Sequence, residues 1–447
     1  MLDLKTQFPR PSSLKSIKIG FWFRFCIFSF LLAGRFIPAS AQLREHEFQS
    51  VPDYVKKSAP LVWLHSEDPF LPSDLLTHIQ HTTPAINQVR IPGFDRKLNL
   101  DNLAGLNNLG EPDEVFLTSN DSPTSSPFPS WLYGQGPDSS GRIHDAVPCI
   151  VILVEKGLRE LDAFFFYFYS YDQGGNITQV LEPLDSLFKD EPAVMQGMHF
   201  GNHIGDWEHN MIRFNDGKPI GMYYSQHSDG QAFVWDDSKL SKENGRPIVY
   251  SALGSHANYA SPGNHVHDAA LVDYCDAGSR WDPMLSAYFY SLEPINFTLT
   301  PLSNPESTRI DQPTSFFYYT GKWGDERYPD DDPRQRTVPY FHLRQFESGP
   351  TGPRSKQLVR KGLHPDFRHR KSWMEWGVSV FMIWYPCCLR GWRVWISGAV
   401  VLGGVVAAGL GLRYGIRYAV RCYMRQGYRK LDTDIPLQDV EGRTRDD

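Results

Sequence analysis

Cysteine is scarce: six residues in a chain of 447. That excludes a small scaffold stapled by many disulfides. No basic patch occurs ahead of the C-terminal tail and the net charge is −6, so nucleic acid is not an expected partner. Long stretches of helical periodicity are missing between 42 and 370, and no internal repeat is found. Neither Gly-x-Ser-x-Gly nor His-Glu-x-x-His is present, which removes the two commonest sequence signs of a serine or zinc hydrolase. No catalytic residue is assigned.

The two ends of the chain carry what the middle lacks. Residues 1–41 read as a signal peptide, with basic Lys15, Lys18 and Arg24, an apolar core over 25–34, and Ala39-Ser40-Ala41 ahead of Gln42. The core is too short for a span, which needs about 20 apolar residues. Near the other end, 394–412 is free of charge and carries a single hydroxyl, Ser397. A buried helix normally keeps a polar stripe, so this run is expected to be a transmembrane helix.

Orientation follows from the flanks, because positive residues resist translocation. Arg413, Arg417, Arg421, Arg425, Arg429 and Lys430 follow the span with no acid among them, whereas 373–393 holds only Arg390 and Arg393 against Glu375. The expected arrangement is a single-pass type I membrane protein with a lumenal domain over 42–370, an aromatic juxtamembrane segment over 371–393, and a cytosolic tail over 413–447. Arginines spaced by four would share one side of a continuing helix and meet anionic lipid. The apolar 376–389 stretch, among Trp373, Trp376, Trp384, Trp392 and Trp395, is read as interfacial. A two-helix hairpin, which would reverse the tail, is the alternative.

Inside the main region, aromatic and β-branched runs recur at 150–154, 163–171, 210–214, 221–224, 232–235 and 248–251, bounded by Gly, Pro, Asn and Asp. They predict strands, several covered on both faces because their alternation is incomplete. Short gaps between 206 and 259 predict hairpins. The expected fold is all-β or β-rich, an antiparallel β-sandwich-like domain with long loops at 122–141 and 325–355. Cys149 and Cys275 are the two cysteines of this domain and would form its disulfide in an oxidising lumen, with free buried thiols as the alternative. Cys387, Cys388 and Cys422 lie beside the span, where palmitoylation occurs. Glycosylation sequons stand at Asn120, Asn176 and Asn296.

Chemistry concentrates in Gly201-Asn202-His203-Ile204-Gly205-Asp206-Trp207-Glu208-His209. On a strand Asp206 and Glu208 share a face, and His203 approaches it if the chain bends at Gly205. Two carboxylates with an imidazole suit a divalent cation, Mg or Ca. His256, in Gly254-Ser255-His256-Ala257, is a fourth candidate ligand, and His227, His265 and His267 are candidate ligand-binding residues. Each histidine taken alone is more often a hydrogen-bonded structural residue than a ligand, and their clustering is what points to a joint role. Ser255 and His256 are adjacent and point to opposite faces of a strand, so they do not form a nucleophile and base pair.

Several further stretches complete an ordered set with the central cluster: Ala59-Pro60-Leu61-Val62-Trp63-Leu64-His65 with Pro69-Phe70-Leu71-Pro72-Ser73, then Gly205-Asp206-Trp207-Glu208, Gly254-Ser255-His256-Ala257, Gly321-Lys322-Trp323-Gly324-Asp325 and Gly349-Pro350-Thr351-Gly352-Pro353. The chain resembles the Vps62-like family in this set, and the resemblance implies a role in sorting to the vacuole. A more distant similarity, to secreted necrosis-inducing proteins, covers only His203, Asp206, Trp207 and Glu208. It implies a β-sandwich with a divalent-cation site, and Gly205 departs from the histidine of that pattern.

These readings converge on a membrane protein of the endosomal or vacuolar route, with the cell surface as another destination. Its lumenal domain is expected to bind a cargo protein, glycan or lipid headgroup at a metal-supported site without catalysis. A membrane-anchored metal-dependent hydrolase is the alternative, because an open metal position lowers the pKa of bound water.

Overall fold

The computed structural model of the chain describes residues 48–94, 98–176, 199–227, 229–266, 272–303, 312–338, 343–366, 388 and 391–427. The expected signal peptide, His267 and the interfacial stretch apart from Cys388 lie outside the described residues. The described chain is β-rich with one C-terminal apolar helix.

A seven-stranded sheet dominates, in the order β11-β10-β9-β6-β5-β18-β19. Its strands are β5 (Cys149–Glu155), β6 (Glu160–Asp172), β9 (His203–Asn215), β10 (Lys218–Gln226), β11 (Asp229–Val234), β18 (Ala287–Glu293) and β19 (Thr298–Pro301). A second sheet contains β1 (Leu61–Leu64), β12 (Lys242–Glu243), β13 (Arg246–Ser251), β14 (Asn258–Tyr259) and β17 (Ser279–Trp281). Smaller ladders join β2 (Thr82–Ile86), β3 (Val89–Arg90) and β4 (Phe116–Ser119); β7 (Gly175–Asn176) and β8 (His199–Phe200); β15 (Gly263–Val266) and β16 (Val272–Cys275); and β20 (Thr337–Val338) and β21 (Leu343–Arg344). Two short helices, α1 (Asp53–Ser58) and α2 (Leu75–Gln80), precede β1 and β2, and α2 is capped by Asp74 accepting from the Thr77 amide.

β6 explains the architecture best. Its odd positions Leu161, Ala163, Phe165, Tyr167 and Tyr169 enter one core cluster with Val62 of β1, Val249 of β13 and Trp281 of β17. Its even positions Phe164, Phe166 and Phe168 enter a second, with Leu75 and Ile79 of α2, Leu117 of β4 and Trp323. Both faces are covered, so an apolar run without polar alternation is what this strand requires. Each predicted strand coincides with an observed one.

Hairpins form as expected between β9 and β10 and between β10 and β11. The purely antiparallel expectation needs correction: β18 runs parallel to β5, and β13 parallel to β1. Gap length dictates the pairing of sequence neighbours only, and both parallel partners arrive after long excursions. The expected disulfide is also corrected. Cys149 and Cys275 are free thiols, the first in the large cluster on the β1 side and the second in a separate small cluster with Ala252, Ala257 and Tyr259.

The C-terminal helix, α3 (Arg393–Gly427), is long and apolar enough to cross a membrane, its most apolar 18-residue stretch having a mean hydropathy of 1.9. It continues through Arg413, Arg417, Arg421 and Arg425, so these four do lie on one continuous helix. Because Phe166 is fully buried between β5 and β9, Phe166→Ala is expected to cost about 3–5 kcal/mol, read by urea unfolding of the purified protein.

Candidate functional site

The ends of β6 and β9 meet in antiparallel register, Tyr167 opposite Glu208, Tyr169 opposite Asp206 and Asp172 opposite His203. Asp206 and Glu208 therefore point to the β1 side of the sheet, and Trp207 points to the other, where it packs on Phe168 and Trp323. Gly205 has φ +71, and a Cβ there would stand 1.9 Å from the Trp323 carbonyl oxygen. Only glycine fits this bend. It brings the His203 Nδ1 to 2.7 Å from the Gly205 carbonyl and its Nε2 to 3.8 Å from Asp172 Oδ2.

His256 comes from the turn between β13 and β14, in the left-handed region at φ 54. Its ring stacks on Tyr169 with centroids 3.7 Å apart. Nδ1 lies 3.0 Å from Asp206 Oδ2 and Nε2 3.2 Å from the Phe70 carbonyl, so both nitrogens face acceptors; burial works against the charged ring, but the Asp206 hydrogen bond and the Asp68 and Asp206 charges raise its pKa. Asp68 Oδ2 is 3.8 Å from the same Nε2 and accepts from the Gly254 amide.

Asp172, Asp206 and His256, all buried, offer ligand atoms within 4.8 Å of one another. The structure thus brings two of the four expected ligands, Asp206 and His256, together with Asp172. His203 stands at the edge, and Glu208 is turned to accept a hydrogen bond from Ser225. Asp68, Asp172 and Asp273 were missed by sequence reasoning. Asp172 carried a usable signal, since it is the acid that closes the apolar run of β6.

His227, at φ 51, forms a pair with Asp273, Nε2 to Oδ2 at 2.8 Å. Asp273 also accepts from Ser255 and Tyr259, at 2.7 and 2.6 Å. His265 lies across the β15–β16 ladder from Asp273, but its ring stacks on Tyr259 and its Nε2 is 2.8 Å from the Ser261 carbonyl. Of the sequons, Asn120 and Asn296 are exposed, and Asn176 is half-buried in β7.

Charge is unbalanced here. Five carboxylates, Asp68, Asp172, Asp206, Glu208 and Asp273, are set against His203, His227 and His256, with the Lys356 ammonium acting on Asp206 and Glu208. Burial and the negative charges of Asp206, Glu208, Asp273 and Asp68 push the Asp172 carboxyl well above its ordinary range. Burial and Asp206 push Glu208 up to about 7. For Asp206, burial works upward, but the His256 hydrogen bond and charge outweigh it and hold the group low. A cavity of about 440 Å³ is lined by Tyr171, Gln173, Asn202, Arg334, Gln345 and Phe346 among others; Tyr171 and Asn202 are chain neighbours of Asp172 and His203, but no acid or histidine of the cluster lines it.

For His227, burial works downward, but Asp273 dominates and raises it to about 9, while Asp273 is held at about 2. A raised histidine stabilises the fold fully below its unfolded value of about 6.5, and that share is lost as pH rises through about 9. The share of Asp273 is lost only as pH falls through about 2. The Tm difference between the natural chain and His227→Gln is expected to be largest near pH 6 and to shrink above pH 9, followed by melting across a pH series.

Comparison with known proteins follows the same residues. The family model described as vacuolar protein sorting-associated protein 62 matches residues 191–328, which include β9 and the acidic motif. A Saccharomyces cerevisiae protein named as vacuolar protein sorting-associated, TDA6, is 32% identical over 363 residues, covering 74% of this chain and 71% of its own length. Vacuolar protein sorting-associated protein 62 of the same yeast is 30% identical over 357 residues, covering 72% and 70%. Among solved structures, the non-toxic HaNLP3 protein is 11% identical with a TM-score of 0.26, covering 54% of this chain and 76% of its own. NLPPya in complex with glucosamine is 9% identical with a TM-score of 0.23 and the same coverage. Likenesses this loose carry no argument about the site. The two yeast relatives do: the chain belongs to the family of vacuolar protein sorting-associated protein 62.

Proposed function

We propose that this chain acts in vacuolar protein sorting as a single-pass type I protein of the endomembrane system, whose β-sandwich-like lumenal domain binds a polar ligand beside a divalent cation. The family supports the sorting role, and α3 supports the anchor. The observation that carries the site is the buried donor set: Asp172, Asp206 and His256 within 4.8 Å of one another, with Glu208 and Asp68 adding to the excess of carboxylate.

Buried carboxylates in excess are costly unless protonated or joined by a cation. Oxygen donors predominate, which suits Mg or Ca over softer ions. Asp172 and Asp206 would hold the ion, and His256, once its Nδ1 proton leaves, would complete the set from above Tyr169. A ligand in the cavity that Tyr171, Gln173, Asn202, Gln345 and Phe346 help to line would sit against chain neighbours of Asp172 and His203, which supports reading the two as one binding region.

Binding is favoured over hydrolysis by the same geometry. His227 is committed to Asp273 and His256 would be taken up by the ion, so neither of these imidazoles stands ready as a general base.

Cells lacking this chain are expected to secrete a vacuolar hydrolase that the natural sequence returns to the vacuole. Asp172→Asn and Asp206→Asn chains, made in normal amount, should fail to return it. Full restoration by both would contradict the role given to the site.

A further inference from the structure

The end of the seven-stranded sheet opposite the acidic cluster is built of turns: 156–159 between β5 and β6, 216–217 between β9 and β10, and 294–297 between β18 and β19. β5 and β18 are parallel neighbours with Val154 opposite Leu292, so the turns that follow them leave the sheet side by side. Each carries an aliphatic side chain at its tip, Leu158 at 79% exposure and Ile295 at 80%. Val234, at the same end of the sheet but on its far edge strand β11, is 63% exposed. One bare aliphatic residue is ordinary on a protein surface. Turn tips, however, favour Gly, Asn, Asp and Ser, and three aliphatic residues grouped at one end mark a contact with an apolar medium.

The chain also departs from this end. Arg213, held by both oxygens of Asp162 at 2.7 and 2.8 Å, donates to the carbonyls of Arg360, Lys361 and Gly362 at 3.1, 2.8 and 3.0 Å. Lys156, in the β5–β6 turn, donates to the Arg360 carbonyl at 2.8 Å. Arg360 is itself buried, its guanidinium donating to the Lys356 and Gln357 carbonyls and lying over the rings of Phe164 and Tyr223. The stretch that precedes α3 is thereby fastened beside the apolar turns. Residues 367–392 alone separate its last described residue, Asp366, from Arg393.

We propose that this end of the sheet docks on the bilayer that α3 crosses, with Leu158 and Ile295 entering its interfacial zone. The inference rests on reading α3 as a membrane span and is independent of the cation. It deepens the functional reading in one respect. β6 and β9 have 13 residues each, so Asp172 stands roughly 40 Å, and Asp206 roughly 30 Å, from the docked turns. The cavity then faces away from its own membrane, and its ligand is a polar molecule of the surrounding lumen and not a headgroup of that bilayer. The sequon at Asn296, next to Ile295, is expected to stay bare.

The test places the photo-crosslinker p-benzoylphenylalanine at position 158 or 295 of the full chain in phosphatidylcholine nanodiscs, with the same substitution at Thr124, beside the cavity, as control. The expected result is lipid adducts at 158 and 295 at least ten-fold above those at 124, measured by mass spectrometry. Equal yields at the three positions would overturn the docking, as would a glycan on Asn296 in protein purified from cells. Carbonate extraction separates the two readings. A chain released from membranes removes the span and the docking with it, whereas a retained chain without adducts at 158 and 295 removes the docking alone.

Discussion

A buried excess of negative charge at one end of the large sheet is the constraint on which the rest of this structure depends. Covering both faces of β6 and β9 with aromatic and aliphatic side chains removes water from Asp172, Asp206 and Glu208. In such surroundings an unpaired carboxylate costs several kcal/mol. The fold meets this locally in different ways. Asp273 is saturated by Ser255, Tyr259 and His227, and Asp68 takes the amides of Phe70 and Gly254. Asp206 takes the proton of His256 in a hydrogen bond. Asp172 has His203 Nε2 only at 3.8 Å, and burial with the neighbouring carboxylates drives it toward the neutral acid.

Much of the supporting geometry serves this cluster. Gly205 bends β9 where any side chain would strike Trp323, and His227 and His256 accept left-handed backbone conformations that hold their rings over the acids. Backbone strain of this kind persists where the surroundings over-determine it, as the Tyr169 stack and the Phe70 carbonyl do for His256. The opposite end of the sheet has a different construction, with bare aliphatic turns and a buried arginine clamp on the departing chain. One sheet thus has a polar, acidic end and an end of bare aliphatic turns.

Sequence pattern disclosed the strands well because their aromatic and β-branched runs are bounded by strong turn residues. It also disclosed Asp206 and Glu208, since spacing by two places them on one face. The parallel pairings of β1 with β13 and β5 with β18 were not legible, because no local rule reaches across such separations. Asp68 and Asp273 were hidden for the same reason, since each joins the cluster only through tertiary packing, whereas Asp172 is marked in the sequence as the acid that closes the apolar run of β6. The pairing of Cys149 with Cys275 failed because counting cysteines says nothing about which cluster each enters.

The account stands on whether the acidic cluster holds an ion. Elemental analysis of the purified full chain, joined to thermal melting before and after chelation, measures this directly. The account predicts one equivalent of Mg or Ca, lost on chelation together with several degrees of Tm, and absent from the start in Asp206→Asn. A protein that carries no divalent ion, and whose melting is unchanged by chelator or by added Mg or Ca, would contradict it.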